Sequence, residues 1–353
     1  MALKSHATII DDVQDSLGSN TTDFTDAIIT KKIVEGLNEF SGYCPNIVRE
    51  TLATTEDSKE LDISGIKDML WISALEFKAD KAVRQWRNWT QHYGTIISMD
   101  IDFWPKDIDT GIDTDEALDA DEAAIDVDAD ATTAIPVGTI IRIENELYYV
   151  TATGTTLTVV PGYGRTTATT HATNKDIKIP QLAYLYCACP HKVLAFTDLI
   201  GKISHGAGYT AGVVVMRLDS LGDSDVLPTD ALFTISTDST NTQYRLTQDT
   251  TLVSGAGVVN FLPPLAEDVS DTEVMTFAPS TLTPHLETIF IDLVTALTAK
   301  SVLPKFIQTI PKSGRNPFRD YMTFWQAQLS ITLQKLQREA TKYQKPYEIL
   351  SRS

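Results

Sequence analysis

Three stretches of the 353-residue chain carry residue types that could do chemistry. Cys187 and Cys189 stand two apart, with His191 two further on. Thiolates and an imidazole are zinc ligands, and alternate residues of a strand point the same way. A closed zinc site needs four ligands, however, and no second pair such as C-x-x-C or H-x-x-x-H is present. Buried small residues, with no metal, are the expected role. Ser204 and His205 pair a nucleophile type with a base type. Adjacent residues of an extended chain point apart and no G-x-S-x-G elbow surrounds them, so no catalysis is expected there. Asp126, Asp128 and Asp130 repeat the D-x-D-x-D opening of a calcium loop. Ala131 then stands where the turn glycine belongs, and Val137 where the bidentate glutamate belongs. The repeat Asp107-x-Asp109-x-Gly111 departs similarly. The stretch from Asp107 to Thr133 reads as an acidic linker with a short helix or strand and no bound cofactor.

The formal charge of −18 argues against non-specific nucleic-acid affinity, which comes from phosphate neutralisation by Lys and Arg. It is unevenly placed. From Lys300 onward ten basic residues face three acids, which leaves the first 299 residues at −25. Such asymmetry implies different neighbours for the two parts. No run approaches the ~20 apolar residues of a membrane span. Met1 to Asn20 lacks the build of a secretory signal, so synthesis in the host cytoplasm without membrane insertion is expected. Three cysteines make no disulfide framework.

Helical periodicity predicts helices over Ala7–Leu17 and from Thr22 or Asp23 to Gly42, and again from Pro284 and from Asn316 near the end. Between them, strands are expected at Ile47–Ala53, Glu60–Ile63, Met69–Phe77, Val83–Trp89 and Tyr93–Phe103. Ile135–Ile179 reads as a compact β-cassette, its strands broken at Gly154 and at Pro161-Gly162-Tyr163-Gly164. Leu182–Ala188 resumes the interrupted sheet. Phe196–Gly208 reads as a glycine-rich connection. Val213–Phe277 is a second cassette. Pro304 and Pro311 are expected to punctuate a basic connection between the last two helices. Trp71, Trp86, Trp89 and Trp104 crowd one region, more as core and contact surface than as a ligand cage.

This order of elements resembles the head-to-tail adaptor (connector) proteins of tailed bacteriophages. The resemblance rests on two helices leading to Pro45 and Thr51, then ELDIS (Glu60–Ser64), DMLWISALEF (Asp68–Phe77) and a WRNW-type strand. The cassette resembles a β-module of phage neck and tail proteins, through Glu146, Val150 and LTVVPGYGRTTATTHA (Leu157–Ala172). The arginine usual in that module is replaced here by Pro161.

The fold expected is therefore α+β: a helical core from both chain termini with a central small β-sheet, plus two inserted all-β, barrel- or sandwich-like modules. Residues 1–104 would begin the adaptor core, and 105–179 would hold the acidic linker and first insertion. Residues 180–202 would return to the core, 203–278 would form the second insertion, and 279–353 the C-terminal helices and tail.

The resemblance implies a structural virion protein and no enzyme: a ring, usually twelvefold, at the head–tail junction around passing double-stranded DNA. Its partners would be the portal on one side and a stopper, tail terminator or other tail-side neck protein on the other. In the family the C-terminal segment commonly reaches the portal, which makes Tyr343, Lys345, Tyr347, Ile349 and Leu350 the portal-contact candidates. Asp107, Asp109, Asp126, Asp128 and Asp130 are channel-lining candidates, on the argument that like charge keeps DNA from sticking. A tail or baseplate component is the alternative. A carbohydrate-binding or hydrolytic protein using Trp71, Trp86 and Trp89 is the alternative of another class.

Overall fold

The computed structural model describes residues 3–307 and 317–342, apart from positions 80, 93, 121, 197 and 223–225. Helix α1 (His6–Ser16) starts where the Ser5 hydroxyl accepts the Thr8 amide, which satisfies one of the free N–H groups of a first turn. It stops before Gly18, whose φ of 87° a glycine adopts without strain. Helix α2 (Asp26–Tyr43) runs through Gly42 and ends against Pro45. Its Gly36 faces Val294, and a Cβ there would lie 3.0 Å from Val294 Cγ2. That lets α2 approach α3 (Pro284–Ile307) closely, while α4 (Pro317–Ala340) packs across α3. Ile9, Val13, Ile29, Ile33, Phe40, Phe290 and Val294 close one hydrophobic core from both ends of the chain.

From α2 the chain enters β1 (Asn46–Ala53), β2 (Glu60–Asp62), β3 (Trp71–Phe77), β4 (Trp89–His92) and β5 (Ile96–Met99). Much later, β12 (Leu182–Cys189) inserts between β1 and β3, giving the antiparallel order β1-β12-β3. β2, β5 and β4 form a second small sheet. Val48, Leu75, Leu185, Cys187 and Ile97 make the core between the two. The period-two alternation in β1 sends Val48 and Leu52 inward and Ile47 and Arg49 outward.

The chain between them builds β6 (Ile108–Asp113), β7 (Ala124–Asp126), β8 (Ile140–Ile143), β9 (Glu146–Ala152), β10 (Thr156–Val160) and β11 (Asp176–Ile179). Their order is β6-β11-β8-β9-β10-β7. The two edges are stitched by a bridge between Thr114 and Val127. This module has its own core of Ile112, Ile125, Ile141, Tyr148 and Val150.

A third module follows: β13 (Ile200–Ile203), β14 (Val215–Asp219), β15 (Val226–Leu227), β16 (Leu232–Ile235), β17 (Tyr244–Leu246), β18 (Thr250–Thr251), β19 (Gly257–Leu262) and β20 (Val274–Phe277). Six of these close a barrel in the order β13-β14-β19-β17-β16-β20. At its centre Phe233 stacks on Tyr244 and packs edge-on against Phe261 and tilted against Phe277. Closure removes exposed strand edges.

The expected α+β fold, a helical core carrying a small sheet, is therefore corrected. The molecule is mostly β, with 33% strand against 23% helix and four α-helices among the described residues. Each β module buries its own apolar residues, so the helical bundle is one core among several. Two local readings shift as well. Phe196–Gly208 contains β13, a barrel strand rather than a connection. Pro304 lies inside the last turn of α3, not between helices.

Candidate functional site

The first β module is organised around Glu146, at the start of β9. Its side chain is 1% exposed. Oε1 accepts the Gly162 amide at 2.9 Å, and Oε2 accepts the Thr169 amide at 2.9 Å and faces His171 Nε2 at 3.0 Å. The other ring nitrogen of His171 lies 2.9 Å from Glu144 Oε2. The long loop of the cassette is thus folded back onto a single carboxylate. Burial pushes the Glu146 carboxyl up, but the hydrogen bonds from His171, Thr169 and Gly162 prevail and hold it below the usual range. Gly162 has a φ of 63°, and a Cβ there would meet Thr166 O at 3.2 Å. The loop's glycine and the distant acid are parts of one clasp. The Thr169 hydroxyl lies 3.4 Å from both Glu146 Oε2 and His171 Nε2, and the arrangement locks a loop.

The acidic stretch is woven into the module, not strung between domains. It supplies β6 and β7, and Leu118 exchanges both backbone hydrogen bonds with His171. The channel-lining candidates part company here. Asp107 turns inward: its side chain is 1% exposed and ion-paired with Arg142, whose other arm binds Thr54 O of the central sheet. Burial raises the Asp107 carboxyl, against the pull of Arg142. Asp130 caps its own turn by accepting from Thr132. Asp109, Asp126 and Asp128 are exposed near the module's seam. Asp113 and Asp176, which the sequence did not single out, sit directly opposite each other across β6 and β11. The Asp113 carboxyl is held above its ordinary value by desolvation and then by Asp176, Asp128 and Asp109.

A second buried charge cluster joins two modules. Arg245 of the barrel places one guanidinium nitrogen 2.7 Å from Asp230 and 3.0 Å from Glu50 of β1. The other nitrogen donates to Arg49 O. Burial pushes the Asp230 carboxyl up in spite of Arg245. Nothing in the local sequence signals this triad, because its members lie up to 195 residues apart. A polar cleft of about 710 Å³ lies between the central sheet and the first module, with Glu56, Asp62, Arg142, Glu144, Lys175 and Lys178 on its walls. Its charges are mixed, and Asp62 on its wall accepts the Ser64 amide at 2.8 Å.

The remaining expectations can be placed. Cys187 and Cys189 are buried on the core side of β12, and burial pushes the Cys189 thiol up to about 12. His191 packs instead against Phe40 and Thr281. No group of three or more potential metal ligands occurs among the described residues. The His205 ring stacks on Tyr209, and its Nδ1 meets Gly208 O. Of the four tryptophans that crowd residues 71–104, Trp89 packs on the core and Trp104 lies under Lys59, while Trp71 and Trp86 face outward on the central sheet. They form no single cage. Tyr343, Lys345, Tyr347, Ile349 and Leu350 lie outside the described residues. Among the described residues, no helix is long and apolar enough to cross a membrane.

Comparison of the chain with family models, with curated proteins and with solved structures finds no match.

Proposed function

We propose that the chain is a structural virion protein, a head-to-tail adaptor that forms a ring in the neck of a tailed bacteriophage. The observation that carries this reading is the Glu146 clasp. The residues through which the first module resembles phage β-modules, Glu146 and the Pro161–Ala172 loop, are spent on holding that loop internally. A motif whose polar groups are satisfied internally serves shape, not turnover. The modular build supports the same reading. Separately cored β modules, tied to the central sheet by buried ions such as Arg245 and Arg142, present rigid surfaces to several neighbours.

In this role the chain lies between the portal and a stopper, tail terminator or other tail-side neck protein. A net charge of −18 lets duplex DNA pass without tight binding. Ring subunits meet through heterologous contacts that close on themselves. Electron microscopy of the purified chain mixed with the portal of the same phage tests the reading. Rings stacked coaxially on the portal are expected; a monomer that ignores the portal and cleaves host polysaccharide would contradict it.

A further inference from the structure

One face of the β1-β12-β3 sheet leaves Ile47, Arg49 and Trp71 exposed towards one end, while Ala74, Glu76, Tyr184 and Ala188 on the same face are buried. At the Ala53–Leu182 end the face packs under the first module, with Tyr149 and Tyr163. At the other end Ile47 and Trp71 flank Ala188 and are 39% and 38% exposed. Between them lies a ladder of rings and guanidinium groups. Arg49 stands 4.2 Å over the Tyr184 ring, the Trp86 and Tyr186 rings are 5.4 Å apart, and Arg84 lies 6.0 Å from Trp86. Among the described residues neither guanidinium forms an ion pair, so two exposed charges face outward from an aromatic floor. In a chain of −18 this is an unusual surface, and guanidinium groups over aromatic rings suit a planar carboxylate partner.

The chain carries its complement. Along the seam of the first module Asp109, Asp113, Asp128 and Asp176 stand together. Asp113 and Asp176 are direct cross-strand partners, a pairing of like charges that destabilises a sheet. Ile108, 59% exposed, gives this acidic edge an apolar start to set against Trp71 and Ile47.

We infer that the open face, through Arg49 and Arg84 over Trp86 and Tyr186, docks the acidic seam of a second copy of this chain. The seam then faces a neighbouring copy, not the DNA channel. Two different patches meeting in this way make a head-to-tail contact, the kind that closes a ring. The contact rests on the ring reading above and says which surfaces form it.

Charge exchange on the full chain tests the contact, with self-association followed by sedimentation at low and at high salt. The wild-type chain associates, and salt weakens the association. Arg49→Glu with Arg84→Glu, or Asp113→Lys with Asp128→Lys, weakens association by roughly tenfold or more. An equal mixture of the two reversed proteins recovers it, because each reversed surface meets its opposite. Arg49→Gln with Arg84→Gln gives a smaller loss, and circular dichroism verifies that each variant is folded. Association that neither reversal changes would move the interface elsewhere and leave the ring reading standing. A wild-type chain that stays monomeric overturns this contact and leaves the neck reading to portal binding. Tight binding of single-stranded DNA, lost in the Arg49→Glu, Arg84→Glu variant, would assign the face to nucleic acid instead.

Discussion

In the first β module, Nε2 of His171 lies 3.0 Å from Oε2 of Glu146 across a separation of 25 residues. The same carboxylate takes the amides of Gly162 and Thr169, so one side chain fixes both ends of a loop. Glu146→Ala leaves those donors without their acceptor, at a cost of roughly 3 kcal/mol or more. Glu146→Gln, which turns one acceptor into a donor, costs somewhat less. Urea unfolding followed by tryptophan fluorescence measures both.

Arg245 holds the barrel to the central sheet through Glu50 and Asp230. Arg245→Met leaves two buried carboxylates without their cation, and a loss of about 3–5 kcal/mol is expected. Adding Glu50→Gln and Asp230→Asn to that variant recovers part of it, because the uncompensated charges are gone. A double-mutant cycle in urea separates the coupling from the single effects. Additive losses would mean that the triad is not a unit.

How far the sequence foretold this molecule depends on whether the signal was local. The cassette strands were legible because Ile141 and Ile143, then Leu157 and Val159, sit on one face and are bounded by turns. The starts of α3 and α4 were legible from Pro284 and Pro317. The acidic stretch misled, since aspartate is depleted in strands. Ile112, Ile125 and Val127 nonetheless bury themselves and draw β6 and β7 into the sheet. The weight of β structure was missed for the same reason: β13 and the barrel closure depend on pairings distant in sequence. Glu146 and His171 were both visible in the motif. Their contact was not, because it needs the loop to fold back.

Burial depresses the imidazole of His191 to about 4 from its ordinary 6.5. Above pH 6.5 both folded and unfolded chains hold it neutral, and it adds no pH dependence. Between 6.5 and about 4 the unfolded chain takes up a proton that the folded chain refuses. Stability therefore falls by up to roughly 3 kcal/mol over that window. His191→Phe loses the hydrogen bond to Thr281 but flattens the slope relative to wild type. Melting temperatures between pH 7 and 4 test this.

The acidic seam makes a prediction of opposite kind. Asp113→Asn relieves a like-charge cluster and raises the melting temperature of the isolated chain at neutral pH. If the seam docks the arginine face of a neighbour, the same substitution weakens self-association. Greater stability with weaker assembly is the expected pair of results. Greater stability with unchanged assembly would leave the seam without a partner.

The most direct test of the neck assignment is an affinity pull-down from lysate of infected host cells, with full-length chain and chain ending at Tyr343 as baits. The account predicts that the full-length bait retains the portal and that the truncated bait loses it. Recovery of tail-tube or baseplate proteins in place of the portal would contradict the account and place the chain in the tail.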